Sequence, residues 1–349
     1  MTGAPQGQPL TGYSLESLSN VLVTAGFQRY RAAQIFDWLY LKRARTFHEM
    51  KNISRRLEEY LAEYFVITSS TLAATHDAGD GASKLEIILD DGETVEAVVI
   101  KSQRRITVCL SSQVGCPLGC AFCATGAGGY VRNLHAHEIV EQALHAASVI
   151  PSSRISHVVF MGMGEPCLNL DSVFDAVRTL NSPYAFNIGA RRITISTLGD
   201  PACIARIAQL PIDIGLAISL HAADDALRRR LLPSARATVS ETVKAADEYF
   251  ARTGREVTYE YVLLAGVNDS AAHAAKLAAV LSGRRAFVNL IAYNEVEGLE
   301  FRRPSERRID GFRDRLEARG INVFVRDSRG SNAKAACGQL RLHKSKGAE

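Results

Sequence analysis

The chain has 349 residues, of which 47% are hydrophobic and 22% are charged, and its formal net charge is +4. A chain of this size can bury a substantial core and is long enough for one large domain with an extension. No stretch approaches the length of a membrane span, and the first twenty residues lack a basic start and an apolar run, so we expect a cytoplasmic protein without a membrane partner. The seven cysteines indicate reduced thiols that serve metal binding or catalysis rather than a disulfide framework.

The first part of the chain carries apolar residues at helical spacing, such as Leu15, Leu18 and Leu22, with polar residues between them. This pattern predicts a small helical domain over residues 1–66. Basic residues cluster here and at later points, and such clusters can neutralise phosphates, although a charge run is more often a solvated surface. The clusters are Arg29–Arg31, Lys42–Arg45, Arg55–Arg56, Lys101–Arg105, Arg228–Arg230 and the tail Arg341–Lys346.

Three runs of strand-forming residues, separated by glycine-containing turns, come next. We interpret residues 67–104 as a short β extension, a meander that leads into the main domain. The runs are Thr71–Ala74, Lys84–Leu89 and Thr94–Ile100.

From residue 105 onward, short β-branched runs alternate with helical segments, which is typical of βαβ units in a parallel sheet or barrel. Six principal strands predict an α/β fold with a partial rather than a complete eightfold barrel over residues 105–330, followed by a C-terminal loop and basic tail over 331–349. The runs are Ile106–Leu110, His157–Met161, Arg192–Ser196, Ile214–Leu220, Val257–Leu264 and Phe287–Tyr293, with Val323–Arg326 after them. The helical segments include Ala136–Ser148, Ser240–Arg252 and Ser305–Arg319.

Cys116, Cys120 and Cys123 stand in a glycine-punctuated stretch with CxxxCxxC spacing. Iron–sulfur clusters are usually held by four thiolates, so three cysteines suggest a cluster with one iron free for a small molecule. The alternative is a structural zinc site, which needs a fourth cysteine or histidine. Cys109 is the only nearby candidate, and its distance from Cys116 along the chain is longer than a zinc knuckle normally allows. The spacing therefore favours an iron–sulfur cluster.

The unusual polar motifs lie at the carboxyl ends of predicted strands, the face on which α/β barrels assemble active sites. In the stretch Gly-Met-Gly-Glu-Pro, the glycines permit close backbone approach and Glu165 suits an ammonium group, although a turn with one exposed carboxylate would look the same. Ser196, Ser219 and Asn294 offer uncharged donors and acceptors for ribose hydroxyls and a carboxylate. His221 stands on the same face, although a lone histidine is more often a satisfied structural residue.

Cys337 stands between small residues near the end of the chain, so a loop can bring its sulfur close to another group. A cysteine beside alanines is about as often a buried small hydrophobe. We assign Cys167 and Cys203 to that packing role.

Taken together, these stretches resemble one family: the radical S-adenosylmethionine (SAM) methyltransferases that modify carbon 2 of adenine in 23S rRNA, known as the RlmN family, with Cfr as the carbon-8 relative. The likeness runs from residues 30–40 (YRAAQIFDWLY) through 109–116 (CLSSQVGC) to 335–340 (AACGQL), which is nearly the whole chain. The resemblance implies a partial (β/α)6, TIM-like radical SAM barrel, with the N-terminal helical domain as an RNA-binding accessory.

The resemblance also implies a role for each matching position. The residues expected to hold a 4Fe-4S cluster are Cys116, Cys120 and Cys123. The residues expected to contact S-adenosyl-L-methionine are Gly164, Glu165, Ser196, Ser219, Leu220, His221 and Asn294. Cys337 would become S-methylated, Cys109 would be its partner thiol, and Glu96 would accept a proton.

The implied partners are 23S rRNA, an anticodon-loop adenine of tRNA, and an electron donor such as flavodoxin or ferredoxin. Carbon 2 of adenine is electron-poor and cannot attack the methyl group of SAM, so a thiolate and a radical must carry the carbon instead. Two alternatives stay open. A carbon-8 methyltransferase would use every residue named above, whereas a non-catalytic iron–sulfur or zinc RNA-binding protein would leave Cys109 and Cys337 without a role.

The chain departs from the family pattern at Leu198, at Ala292 and over Ser331–Lys334. These changes bear on substrate contacts and loop geometry. None of them falls on a presumed catalytic position.

Overall fold

The computed structural model describes residues 7–326 and 329–340. Its N-terminal region forms a small group of helices. Ser14 and Ser54 cap the first and third helices, because their hydroxyls accept hydrogen bonds from the backbone N–H groups of Ser17 (3.0 Å) and Leu57 (3.3 Å). The helices are α1 (Leu15–Thr24), α2 (Arg31–Phe36, continued by a π-helical turn over Asp37–Leu41) and α3 (Arg55–Tyr64), and the short strands β1 (Gln8–Pro9) and β2 (Phe65–Val66) pair in parallel beside them.

Ten further strands form a single sheet. Three antiparallel strands begin it: β3 (Thr71–Asp77), β4 (Ala82–Ile88) and β5 (Thr94–Ser102). The strand β6 (Arg105–Cys109) pairs with β5 in the antiparallel sense and begins the parallel part. A separate pair, β7 (Gln113–Gly115) and β8 (Tyr130–Asn133), flanks the loop that carries Cys116, Cys120 and Cys123. The parallel strands after β6 are β9 (His157–Phe160), β10 (Ile193–Thr197), β11 (Gly215–Ser219), β12 (Val257–Leu263), β13 (Ala286–Ala292) and β14 (Asn322–Arg326).

Helices connect the parallel strands. They are α4 (Ala124–Gly128), α5 (Ala136–Ser148), α6 (Leu170–Asn181), α7 (Pro201–Ile207), α8 (Asp225–Leu231), α9 (Val239–Thr253), α10 (Ala271–Leu281) and α11 (Glu306–Glu317). Within the described residues the sheet runs from β14 at one edge to β3 at the other without closing. The predicted fold class, a partial α/β barrel with an N-terminal helical region and a β extension, is therefore confirmed.

The helical region is fixed to the barrel by buried polar contacts. Glu141 on α5 is fully buried and accepts hydrogen bonds from the hydroxyl of Thr11 (2.7 Å) and the backbone N–H of Ser70 (2.8 Å). The guanidinium of Arg43 donates to the backbone carbonyls of Ala147 (2.7 Å) and Ser153 (2.8 Å). The buried carboxylate of Glu141 and the half-buried guanidinium of Arg43 resist separation of the two parts, since each would lose these partners.

Three sequence-based expectations need correction or restriction. Cys167 and Cys203 are not separate packing groups: they form a disulfide, with their Cα atoms 5.7 Å apart. Arg228, predicted within a basic cluster, is buried, because its guanidinium donates to the backbone carbonyls of Ala237 (2.9 Å) and Leu198. The basic tail from Arg341 onward lies outside the described residues.

No helix in the described ranges is long and apolar enough to cross a membrane.

Candidate active site

The carboxyl ends of the parallel strands surround a cavity of about 160 Å³. Nearly all of the predicted cluster and SAM residues line it, although they come from loops spread over more than 200 positions of the chain. The predicted residues that line the cavity are Cys116, Cys120, Cys123, Gly164, Glu165, Ser196, Ser219, His221, Asn294 and Cys337.

The three-cysteine loop is held by backbone hydrogen bonds. The N–H of Cys116 donates to the carbonyl of Gly129 (2.7 Å), and the N–H of Cys123 donates to that of Cys120 (3.1 Å). Directly after Cys123, the N–H of Ala124 donates to the carbonyl of Gly338 (2.8 Å), so the loop is also joined to the segment that carries Cys337.

The three thiols suit an iron–sulfur cluster better than a single ion. Burial raises the pKa of Cys116 to about 11 and also raises that of Cys120, and the negative charge of each neighbouring thiolate adds to this effect. Binding of a metal centre therefore has to displace protons from these thiols. No three His, Cys, Asp or Glu side chains in the described ranges are arranged around one ion. A cluster spreads its thiolate ligands over several metal atoms and does not need them to converge on a point.

Glu165 is held at the carboxyl end of β9 by backbone donors. Its carboxylate accepts hydrogen bonds from the N–H groups of Cys167 (3.1 Å) and Leu198 (3.1 Å), and burial raises its pKa to about 7. Gly164 before it has a φ of +102°, and a Cβ at this position would lie 2.6 Å from the Cβ of Gln113. No ammonium partner contacts this carboxyl group in the part of the chain that the structure describes. A buried carboxyl group therefore faces the cavity, and in its ionised form it suits the amino group of SAM.

His221 lines the same cavity from the end of β11. Its backbone has a φ of +57°, and its Nδ1 accepts a hydrogen bond from the N–H of Val262 (3.1 Å). Burial lowers the pKa of His221 to about 3, so the ring is neutral near pH 7. Leu220 differs from the other predicted SAM residues, because its side chain is fully buried and does not line the cavity.

A second cavity of about 430 Å³ adjoins the first, since Cys123, Asn294 and Cys337 line both. Cys109, at the end of β6, lines only the larger one, and neither Cys109 nor Cys337 is in a disulfide. Burial, followed by the charge of Cys337, raises the pKa of Cys109 to about 12. The guanidinium of Arg326 acts in the opposite direction and favours the thiolate.

Glu96 does not line either cavity. Its fully buried side chain forms an ion pair with Lys84 on the neighbouring strand, with 2.7 Å between Nζ and Oε1. Val98, two residues further along β5 and therefore on the same face, does line the larger cavity. The carboxylate of Glu96 therefore lies beside the wall of the larger cavity, on the face of the sheet that lines this cavity.

Sequence reasoning missed three charged residues of this region: Lys84, Glu260 and Arg326. Glu260 and Arg326 project from β12 and β14 into both cavities, and burial raises the pKa of Glu260 while Arg326 lowers it. All three lie within predicted strands, and a charged residue in an otherwise apolar strand is the signal that could have identified them.

Comparison with known proteins agrees with this geometry. Residues 110–278 match the model of the radical SAM superfamily, and residues 8–67 match that of the ribosomal RNA large subunit methyltransferase N-terminal domain. The chain is 46% identical over 341 residues to a probable dual-specificity RNA methyltransferase RlmN of Parasynechococcus marenigrum, covering 95% of this chain and 98% of the relative. It is 44% identical over 342 residues to the protein of the same name from Rhodopirellula baltica, covering 97% and 92%.

A solved structure shows the same fold. The crystal structure of a radical SAM methyltransferase from Sphaerobacter thermophilus superposes with a TM-score of 0.93 at 42% identity, covering 96% of this chain and all of that one. Radical SAM enzymes use a 4Fe-4S cluster and SAM, and the three thiols and the buried Glu165 described above fit those two groups. The chain belongs to the RlmN family of radical SAM RNA methyltransferases.

Proposed function

We propose that this enzyme methylates carbon 2 of an adenine in 23S rRNA and of an anticodon-loop adenine in tRNA, through an S-methylated Cys337. The relatives are named as dual-specificity RNA methyltransferases, which agrees with two kinds of RNA substrate. Its place of action would be the cytoplasm, and its electrons would come from a flavodoxin or ferredoxin.

The observation that carries the proposal is the position of the two free thiols. Cys337 lines both cavities, so it faces the three-cysteine loop on one side and Cys109 on the other. A thiol between a SAM-binding cavity and a second thiol can accept a methyl group and later form a disulfide. An enzyme that transferred the methyl group directly would need neither cysteine.

When bound, the cluster and SAM would supply the methyl group, a 5′-deoxyadenosyl radical that takes up one hydrogen atom, and an acceptor for the one electron that the RNA adduct has to lose. Cys337 would carry the carbon throughout: its thiolate takes the methyl group, and after loss of one hydrogen atom the methylene carbon bonds to carbon 2 of the ring. The protein is then joined to RNA through a carbon–sulfur bond. The thiolate of Cys109 would attack the sulfur of Cys337 and break that bond. The methylene carbon keeps the electron pair of the bond and takes up a proton to become the methyl group, and a Cys109–Cys337 disulfide remains.

Release also requires a base, and we assign this role to Glu96. Once carbon 2 carries the methylene group, its hydrogen has to leave as a proton before the ring regains its aromatic character. Glu96 lies on the cavity side of β5, and its Oε1 is 2.7 Å from the Nζ of Lys84. Lys84 is therefore a positioning residue for the proposed base.

The helical region would hold the RNA around the target base, because a base that enters a buried cavity has to leave its stack. The structure divides the basic clusters of this region into two groups. Arg43 is occupied by backbone carbonyls and Lys42 pairs with Asp37, whereas Arg29 and Arg56 are exposed. Arg56 lies over the ring of Phe27. We expect the exposed group to contact phosphates.

The two thiols can be separated experimentally, because one makes the covalent bond to RNA and the other breaks it. Cys109→Ala should accept the methyl group, add to the base and stall as an RNA–protein adduct that survives denaturing electrophoresis and disappears on RNase treatment. Cys337→Ala should give neither methylated protein nor adduct.

Mass spectrometry of nucleosides from 23S rRNA and tRNA would locate the added methyl group. Methylation at carbon 8 would replace the proposed function with the Cfr-like activity. Turnover without adduct by Cys109→Ala would refute the resolving role, and turnover by Cys337→Ala would overturn the whole scheme.

A further inference from the structure

The opposite end of the barrel, where the parallel strands begin, also opens to solvent. The larger cavity extends the length of the strands, because both Arg105 at the start of β6 and Cys109 at its end line it. A separate cleft of about 470 Å³ adjoins this opening, and the two share Arg191, Thr194 and Thr258. This volume is within the range of ligand-binding clefts.

Five arginines surround the opening. Together with two phenylalanines they define what we call the amino-end mouth: Arg105, Arg191, Arg192, Arg255, Arg285, Phe287 and Phe324. Within the described ranges, none of the five guanidinium groups forms an ion pair or a hydrogen bond, and the Nε of Arg255 is buried without an acceptor. Glu256 is the carboxylate that lines the cleft, so the mouth has a clear excess of positive charge.

Some other surface arginines of the barrel pair with carboxylates, whereas others, such as Arg229, Arg252 and Arg307, have no ion pair within the described ranges. Arg206 pairs with Asp171 (2.6 Å) and Arg284 pairs with Asp247 (3.0 Å), although these side chains are about as exposed as those of the mouth. Concentrating like charges around one opening costs energy unless an anion occupies it. The concentration of five arginines around one opening, rather than the lack of partners alone, points to an anionic ligand at this end of the barrel.

The phenylalanines narrow the chemical class of that ligand. Phe287 is 40% exposed and Phe324 is 62% exposed, and they lie on the inward faces of β13 and β14 at the mouth. Parallel strands are normally covered on both faces, so two open rings on neighbouring strands require a partner. Flat rings among guanidinium groups match the pattern that binds single-stranded nucleic acid, in which bases stack on aromatic side chains and phosphates meet basic ones.

We propose that the amino-end mouth binds a single-stranded segment of the RNA substrate, at a site distinct from the one that receives the target adenine. Arg191 and Arg285 would contact phosphates, and Phe287 and Phe324 would stack on bases. This inference rests on the membership of an RNA methyltransferase family and does not depend on which ring carbon is methylated.

An acidic electron-donor protein is the competing partner for a basic surface. The mouth is separated from the cluster cysteines by the full length of the strands, which is about 15–20 Å for five to six residues. A reductant that docked there would lie at the far end of the barrel from the metal site. An aromatic-rich opening also has no evident use in binding acidic side chains, whereas RNA uses both features.

The test measures binding of a fluorescein-labelled single-stranded RNA dodecamer to the anaerobic, cluster-loaded, full-length enzyme between 50 and 200 mM salt. Arg191→Ala/Arg285→Ala should lower the slope of log affinity against log salt by about 1.4, because each phosphate contact on a single strand contributes about 0.7. Phe287→Ala should weaken binding about fivefold or more at every salt concentration without changing the slope. Phe287→Trp should bind at least as tightly as the parent enzyme, since it retains a stacking surface.

Arg315→Ala is the matched control, since it removes an exposed arginine from the outer face of α11, where its guanidinium donates to the carbonyl of Gly311 (2.6 Å). Iron content and unfolding midpoint are checked in every variant. The proposal fails if the mouth variants bind the dodecamer like Arg315→Ala, or if inorganic phosphate displaces the RNA from the parent enzyme and the mouth variants equally well. It also fails if the variants retain RNA affinity but lose activity only with the protein reductant, which would assign the mouth to the electron donor.

Discussion

The ion pair between Lys84 and Glu96 gives the most sharply defined stability prediction. The side chain of Glu96 is fully buried and that of Lys84 is 11% exposed, with 2.7 Å between Nζ and Oε1. Lys84→Met retains much of the aliphatic stem but removes the ammonium, so the buried carboxylate loses this ion pair. Breaking a buried pair from one side costs about 3–5 kcal/mol.

The size of the expected thermal shift follows from the length of the chain. The entropy of unfolding is about 2.1 cal/mol/K per residue, so a chain of 349 residues gains about 0.7 kcal/mol/K in total. Dividing the free-energy loss by this entropy gives a fall in unfolding midpoint of about 4–7 °C. The double variant Lys84→Met/Glu96→Met removes both charges and should unfold close to the parent enzyme, since apolar replacement of a buried pair is often neutral.

Anaerobic scanning calorimetry on the cluster-loaded proteins measures these midpoints. Lys244→Met is the control, because the pair that Lys244 forms with Glu248 is exposed and should change the midpoint by less than about 1 °C. The reasoning is refuted if Lys84→Met stays within 1 °C of the parent enzyme, or if the double variant loses as much as the two single variants combined.

Three further predictions concern a cluster cysteine, the disulfide and Gly164. Cys120→Ala should lose its iron and its ability to cleave SAM while keeping a native circular dichroism spectrum, and full iron content would contradict the assignment of this thiol. Cys167→Ser/Cys203→Ser should lower the free energy of unfolding by about 4 kcal/mol, because the disulfide closes a loop of 36 residues. Equal unfolding midpoints for the oxidised and the reduced parent enzyme would argue against the bond. Gly164→Ala should weaken SAM binding and cost at least about 1 kcal/mol, given its φ of +102° and the clash with Gln113, whereas Gly189→Ala, with open space around it, should be neutral by both measures.

Local signals account for most of the fold that the sequence predicted. The helix Ala136–Ser148 has the predicted bounds, because Glu138 accepts a hydrogen bond from the N–H of His135 (2.7 Å) and fixes the first turn. The first strand of the extension was predicted to end at Ala74 but continues to Asp77, since His76 and Asp77 still pair with β4. A strand end that depends on its partner rather than on its own residues is invisible in a single sequence.

The residues of the site also divide into those that local signals predict and those that depend on contacts between distant parts of the chain. Glu165 and Ser196 could be predicted because each stands next to glycine or polar residues at a strand end. The disulfide could not, because 36 residues separate its cysteines and only the packing of α7 brings them together. Arg326 lies in a predicted strand, but its proximity to Cys109 depends on how β14 and β6 face each other across the barrel, which no local pattern encodes.

The charges around the larger cavity also predict the order in which the thiols of Cys337 and Cys109 react. Burial and the charge of Cys337 both raise the pKa of Cys109, so as long as Cys337 can form a thiolate, Cys109 is discouraged from ionising. Methylation of Cys337 removes that opposing charge and leaves Arg326 to favour the Cys109 thiolate. Burial, the larger cause, remains, but the resolving thiol would ionise more readily once its partner carries the methyl group, which disfavours premature disulfide formation. Iodoacetamide should therefore alkylate Cys109 faster in enzyme methylated at Cys337 than in unmethylated enzyme, and Arg326→Met should reduce the rate in both; an equal or slower rate in the methylated enzyme would refute this order.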